Sequence, residues 1–120
     1  MAVTNLNQLK KALVEGAKIE VVEHFYHPEC SGQIREVTKV QTNAVFIKPI
    51  ARRNGELNEK DMKWVNANEG KGSYMPFGKA CQWSFCNGII QYYDLVDYFD
   101  NGVPCVKKVP IATYRLIKEN

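Results

Sequence analysis

Apolar positions along the chain change period once, close to its start. Leu6, Leu9, Leu13 and Val14 recur at helical spacing, with Lys10, Lys11 and Glu15 on the other faces. Thr4 and Asn5 are good N-caps, Gln8 stands where a capping box needs a side-chain acceptor, and Gly16 is a natural stop. The spacing predicts a helix over about 5–15. A helix this short is marginal alone in water, so its leucine stripe must dock on something.

Beyond Gly16 the period falls toward two. Ile19, Val21 and Phe25 share one side of a strand and Glu20 and His24 the other, although Val22 and Glu23 break the alternation. His27-Pro28 ends that strand, because a residue before proline is pushed to extended or turn geometry. Gly32 opens a run over 33–40, and Gln41-Thr42-Asn43 reverses the chain into 44–49. Three Asn-Gly dipeptides, at 54–55, 87–88 and 101–102, are expected to mark hairpins, since both residues tolerate the positive φ of tight turns.

The second of these sets a register: Cys86 with Ile89, Phe85 with Ile90, Ser84 with Gln91, Trp83 with Tyr92. Cys81, Trp83, Phe85, Ile90 and Tyr92 then share the core face. Pro104 makes the strand after Asn101-Gly102 an edge at its start, and a final run spans Ile111 to Ile117. The polar, glycine-bearing stretch 56–73, anchored only by Met62, Trp64 and Val65, reads as a long loop. The pattern therefore predicts one α+β, mainly β domain over 1–120. An N-terminal helix packs on a curled antiparallel sheet or small SH3-like barrel that occupies about 18–118.

Composition changes this picture little. With 120 residues and 45% hydrophobic content the chain can bury a core without disulfides or a structural metal. No apolar run approaches a membrane span, and the first residues lack the pattern of a signal peptide. The expectation is a cytoplasmic protein with no membrane partner and four reduced cysteines. Charge is more informative in its distribution than in its net +3. Bases dominate 39–79, whereas Asp94, Asp97 and Asp100 are the only charges from Ser84 to Val106, until Lys107 and Lys108 restore the sign. An acidic edge on a basic molecule can steer a partner, or guard a strand against aggregation.

His24, His27 and Cys30, with Cys81, Cys86 and Cys105 downstream, raise the question of zinc. The spacing argues against it: Cys81 and Cys86 point to opposite faces of the predicted strand, His24 and His27 diverge in an extended chain, and no C-x2-C knuckle exists. Buried or half-buried free thiols are expected instead, with no metal, no cofactor and no catalytic set. A small cysteine/histidine metal protein or enzyme is the remaining alternative. Gly70-Lys71-Gly72-Ser73 lacks the spacing of a phosphate loop and reads as a turn. Aromatics interleaved with bases carry more weight. Arg52, Arg53, Trp64, Lys71, Tyr74 and Lys79 are the candidate ligand- or partner-binding residues, because stacking with backbone neutralisation is how small barrels hold single strands and nucleotides. Phe77 and Trp83 go to the core.

The segments Gly32-Gln33-Ile34-Arg35, Val40-Gln41-Thr42-Asn43, Gly70-Lys71-Gly72 and Gly78-Lys79-Ala80 with Trp83 follow an opening Asn5-Leu6-Asn7-Gln8-Leu9-Lys10-Lys11. This arrangement resembles small accessory proteins encoded by phages and mobile elements of Gram-positive bacteria. The resemblance implies no catalytic residues. It implies a non-catalytic binding protein that acts on a host protein or nucleoprotein complex, inhibition of a defence system being one form. A β-barrel that binds nucleic acid or a nucleotide is the alternative.

Overall fold

The computed structural model describes residues 3–67 and 72–117. Helix α1 (Leu6–Ala12) begins where its cap predicts: the Asn5 side chain accepts the Gln8 N–H at 2.9 Å, and Gln8 Oε1 reaches back to the Thr4 N–H at 2.7 Å. Leu6, Leu9 and Leu13 are buried, whereas Val14 lies beyond the last turn and is exposed. The helix is shorter than its apolar pattern because the chain turns away at Leu13 and ties the Gly16 N–H to the Val37 carbonyl at 2.9 Å.

Strands β1 (Lys18–His24), β2 (Gln33–Gln41), β3 (Ala44–Arg52), β4 (Ser73–Pro76), β5 (Trp83–Cys86), β6 (Ile89–Asp100) and β7 (Val103–Ile117) form one antiparallel sheet in the order β4-β3-β2-β1-β7-β6-β5. The fold is α+β and mainly β. Among the described residues β4 and β5 share no ladder, so the sheet is curled and open along that seam. The seam is bridged by side chains: the buried Trp83 Nε1–H donates to the Phe77 carbonyl at 2.6 Å. Inside the curl, Ile19, Val21, Val37, Val45, Ile47, Met75, Phe77, Trp83, Ile90, Ala112 and Tyr114 close around the α1 leucines. Each fully buried aliphatic side chain here contributes about 1.5–3 kcal/mol, which is what holds so short a helix.

The β5–β6 register is the one its turn dictates, from Cys86↔Ile89 to Trp83↔Tyr92. Asn87 and Asn101 take φ of 51° and 50° and are followed by glycines at 81°, as two-residue hairpins of this hand require. Asn54-Gly55 does not make a third hairpin. Arg52 and Gly55 exchange backbone hydrogen bonds of 2.9 Å around Arg53-Asn54, and the chain then leaves the sheet. Nor is 56–73 a long loop: it contains helix α2 (Glu59–Ala67). The start of α2 is a reciprocal cap, with the Asp61 N–H donating to Asn58 Oδ1 at 2.9 Å and the Asn58 N–H to Asp61 Oδ2 at 3.1 Å.

The ladders carry four bulges among the described residues, two of them between β2 and β3, and the two that involve β7 bear on the site. One extra residue at Val22 shifts the β1–β7 pairing, so that His24 lies opposite the interior residue Ala112. His24 therefore faces inward rather than sharing a side with Glu20, and Phe25 is exposed. A second bulge, at Ile111 in β7, separates the inner part of the β6–β7 hairpin from its distal part.

Candidate functional site

The mouth of the curl opposite the β2–β3 turn is built by four elements. The inward residues of β2, Gln33 and Arg35, lie beside Pro49 of β3 and His24 of β1, and α2 presents Asp61 and Trp64. A 3₁₀ turn, Pro28–Cys30, completes the rim. Together they line a cavity of about 610 Å³, within the range of about 300–1,000 Å³ usual for small-ligand sites.

One ionic network holds this mouth together. Asp61, 4% exposed, accepts from Arg52 Nε at 2.6 Å and Nη2 at 2.8 Å, and from Gln33 Nε2 at 2.7 Å. The same guanidinium donates to the carbonyls of Ser31 (3.2 Å) and Glu29 (2.7 Å), which ties the 3₁₀ turn to α2. The Arg52 bonds outweigh burial and hold the Asp61 carboxyl down at about 2. Gln33, 4% exposed, passes the constraint on by accepting Arg35 Nε at 2.9 Å. Arg35 is thus oriented through its Nε, while its Nη groups have no hydrogen-bond partner among the described residues.

The histidines do not diverge as an extended chain would have them. The His27 N–H donates to His24 Nδ1 at 3.0 Å, and the two ring centroids lie 5.2 Å apart. Burial, then the charges of Arg35 and His27, lower the His24 pKa, so its ring is neutral and carries its proton on Nε2. Cys30 is half-buried at the same cavity. Cys81 and Cys86 are exposed, and Cys81 sits in a 3₁₀ turn (Ala80–Gln82) ahead of β5 rather than in that strand. Among the described residues no three His, Cys, Asp or Glu side chains converge closely enough to hold a metal.

The six residues singled out from sequence separate. Trp64 walls the cavity and Arg52 braces it from behind. Arg53 lies on the outer face, where it and Arg115 (2.8 Å) pair with the buried carboxylate of Glu20. Burial raises the Glu20 pKa, but the hydrogen bonds from Arg115 and Arg53 outweigh it, and the net shift is downward. Tyr74 is 57% exposed, edge-on to Phe46 with ring centroids 5.5 Å apart. Lys79 is exposed next to the second 3₁₀ turn, and Lys71 lies outside the described residues. Sequence reasoning passed over Arg35, Gln33, Lys60 and Asp61. The signal for Asp61 was present in Asn58-x-x-Asp61, a capping pattern without the hydrophobic stripe that usually accompanies one.

A second surface is the β6–β7 arm, rooted where the Phe25 N–H donates to the Ile111 carbonyl at 2.8 Å. Strand β5 pairs with β6 only to Tyr92, and β1 pairs with β7 only from Ala112. From Asp94↔Val109 to Asp100↔Val103 the β6–β7 hairpin has no neighbouring strand on either edge among the described residues, and it projects about 20 Å. The radius of gyration, 15.3 Å, exceeds the about 13.6 Å of a compact chain of this length accordingly. Phe99 is 75% exposed and Val106 61%, with Tyr98 and Val103 also open to solvent. Asp97 and Asp100 make the distal half acidic, while Lys107 and Lys108 sit nearer the root, over the rings of Tyr98 and Tyr93 at 5.6 Å each.

No helix among the described residues is long and apolar enough to cross a membrane. No protein-family model, no curated protein and no solved structure matches the chain.

Proposed function

We propose that this is a non-catalytic binding protein whose β6–β7 arm docks on another protein. One observation carries the reading: a two-stranded ribbon, with both edges unpaired among the described residues, exposes Tyr98, Phe99, Val103 and Val106 at its end. An isolated hairpin is marginally stable in water, and exposed aromatic and β-branched clusters on such a projection are anchors for an interface. The charge of the tip selects the partner. Asp97 and Asp100 flank Phe99 with no base between 97 and 106, which repels nucleic acid and favours an apolar depression rimmed by Lys and Arg. Basic faces of that kind belong to proteins that handle nucleic acids. With the resemblance to small accessory proteins of mobile elements, the partner is a host protein or nucleoprotein complex, and blockade of a defence system is one form of the activity.

The test uses the full chain and a Phe99→Asp/Val106→Asp variant, whose changes lie outside the core. Both are offered to bacterial lysate, and any protein captured is purified and titrated with each. The expected result is a complex of fixed stoichiometry that the variant weakens by roughly tenfold or more, and that weakens with salt. Equal capture by both chains, or a complex that nucleic acid alone reproduces, overturns the reading.

A further inference from the structure

The cavity at the mouth of the curl is independent of the arm, and its lining has a chemistry of its own. Arg35 is fixed through a chain of hydrogen bonds, Arg52 to Asp61 to Gln33 to Arg35, which leaves its terminal nitrogens for something else. A guanidinium held in this way is prepared for a bidentate oxyanion, because the entropy of orienting it is already lost. The Asp61 charge is offset by the Arg52 guanidinium, which bonds both its oxygens. Lys60, exposed on the first turn of α2, supplies a second cation at the rim. The neutral His24 and Ser73 supply uncharged donors, and Glu29 an acceptor. Trp64 gives the wall an indole, the strongest stacking surface among the side chains for a flat ring.

We infer that this cavity binds a nucleoside monophosphate, with the phosphate on Arg35 and Lys60 and the base against Trp64. A free anion would leave the indole and most of about 610 Å³ unused. A neutral ring would leave one of the two cations unbalanced, since the exposed Glu29 offsets a single charge in the lining. A mononucleotide satisfies both. The residues differ from the set that sequence suggested for nucleotides: Arg53, Tyr74 and Lys79 do not line the cavity, and Arg52 holds the mouth together instead of meeting a ligand.

The two tryptophans make the test selective. Trp83 is buried and hydrogen-bonded, so quenching on titration reports Trp64, and Trp64→Phe identifies the signal. The full chain is titrated with AMP, GMP, CMP and UMP, with the matching nucleosides, and with inorganic phosphate, by fluorescence and calorimetry. At least one monophosphate is expected to bind and to quench Trp64, with its nucleoside and phosphate alone each weaker by roughly tenfold or more. Arg35→Gln and Lys60→Gln should each weaken it, Arg35→Gln by roughly tenfold; the exposed Lys60 variant keeps the test open should Arg35→Gln fail to fold. The inference is overturned if no monophosphate binds at about 1 mM, a concentration that detects even weak sites. Nucleoside binding as tight as nucleotide, phosphate binding as tight as nucleotide, or affinity unchanged by Lys60→Gln overturns it as well.

Discussion

Replacing Asp61 by Asn removes a charge while keeping the shape and one acceptor oxygen, and so isolates what the ionic keystone contributes. The carboxyl is held at about 2 in the folded chain against 3.8 when free. A difference of this size corresponds to about 2 kcal/mol of stability. Because Asp61 is nearly inaccessible, solvent screening takes little from that figure. Breaking a buried pair also leaves the Arg52 guanidinium facing a neutral amide, which carries the total loss to about 2–4 kcal/mol at neutral pH.

The folded pKa lies below the unfolded one, so the contribution is fully present above pH about 4. It declines as the pH falls from 4 through about 2, the folded value, and is lost below that, where both states are protonated. Urea unfolding of both chains at pH 7, 5, 4, 3 and 2.5 measures it directly. With a slope of about 2 kcal/mol per molar urea, the Asp61→Asn midpoint should fall by about 1–2 M at pH 7. The gap should hold at pH 5 and narrow steadily below 4. The other acids, including Glu20, titrate in both chains and cancel. A gap that persists unchanged to pH 2.5, or equal stability at pH 7, refutes the argument.

Four further outcomes follow from the packing. Gly72→Ala should destabilise by more than about 1 kcal/mol, because φ is +85° and a Cβ would stand 2.3 Å from the Ile47 carbonyl oxygen. Gly88→Ala, at φ +81° in open space, should cost less in the same denaturation assay. Leu9→Ala empties a fully enclosed position beneath α1 and should cost about 2–5 kcal/mol by urea titration; a loss below about 1 kcal/mol would show that α1 is not held by its leucines. In hydrogen exchange, backbone amides over 94–109 should exchange well before those of Ile19, Val21 and Ile90, since the ribbon lacks outer neighbours. Equal protection would mean that the arm is covered.

The cavity and the arm demand different things of the chain. A pre-set cation needs a rigid brace, which the Arg52–Asp61–Gln33 network supplies at the junction of β2, β3 and α2. An interface device needs reach, which the extra length of β6 and β7 supplies by running on past the end of β1 where His24 pairs with Ala112. Neither surface disturbs the core, whose residues come from α1 and the inner part of the curl.

Sequence by itself determined the features that depend on near neighbours. The cap at Asn5, the leucine spacing of α1, the two hairpins at 87–88 and 101–102, and the β5–β6 register all follow from bonds and periods spanning a few residues. Tertiary structure decided the rest, for physical reasons that are visible residue by residue. Helix α2 escapes a hydrophobic-period reading because its buried anchor is an aspartate, and an acid is buried only where Arg52, nine positions away, meets it. His24 turns inward because one bulged residue at Val22 reverses the parity of everything after it. Arg52 and Arg53 take opposite faces by simple strand alternation, but the carboxylates they meet there, Asp61 and Glu20, come from α2 and β1 and are set by the tertiary fold. Local pattern places side chains on elements; which charge finds which partner is settled only when the sheet curls and brings distant strands together.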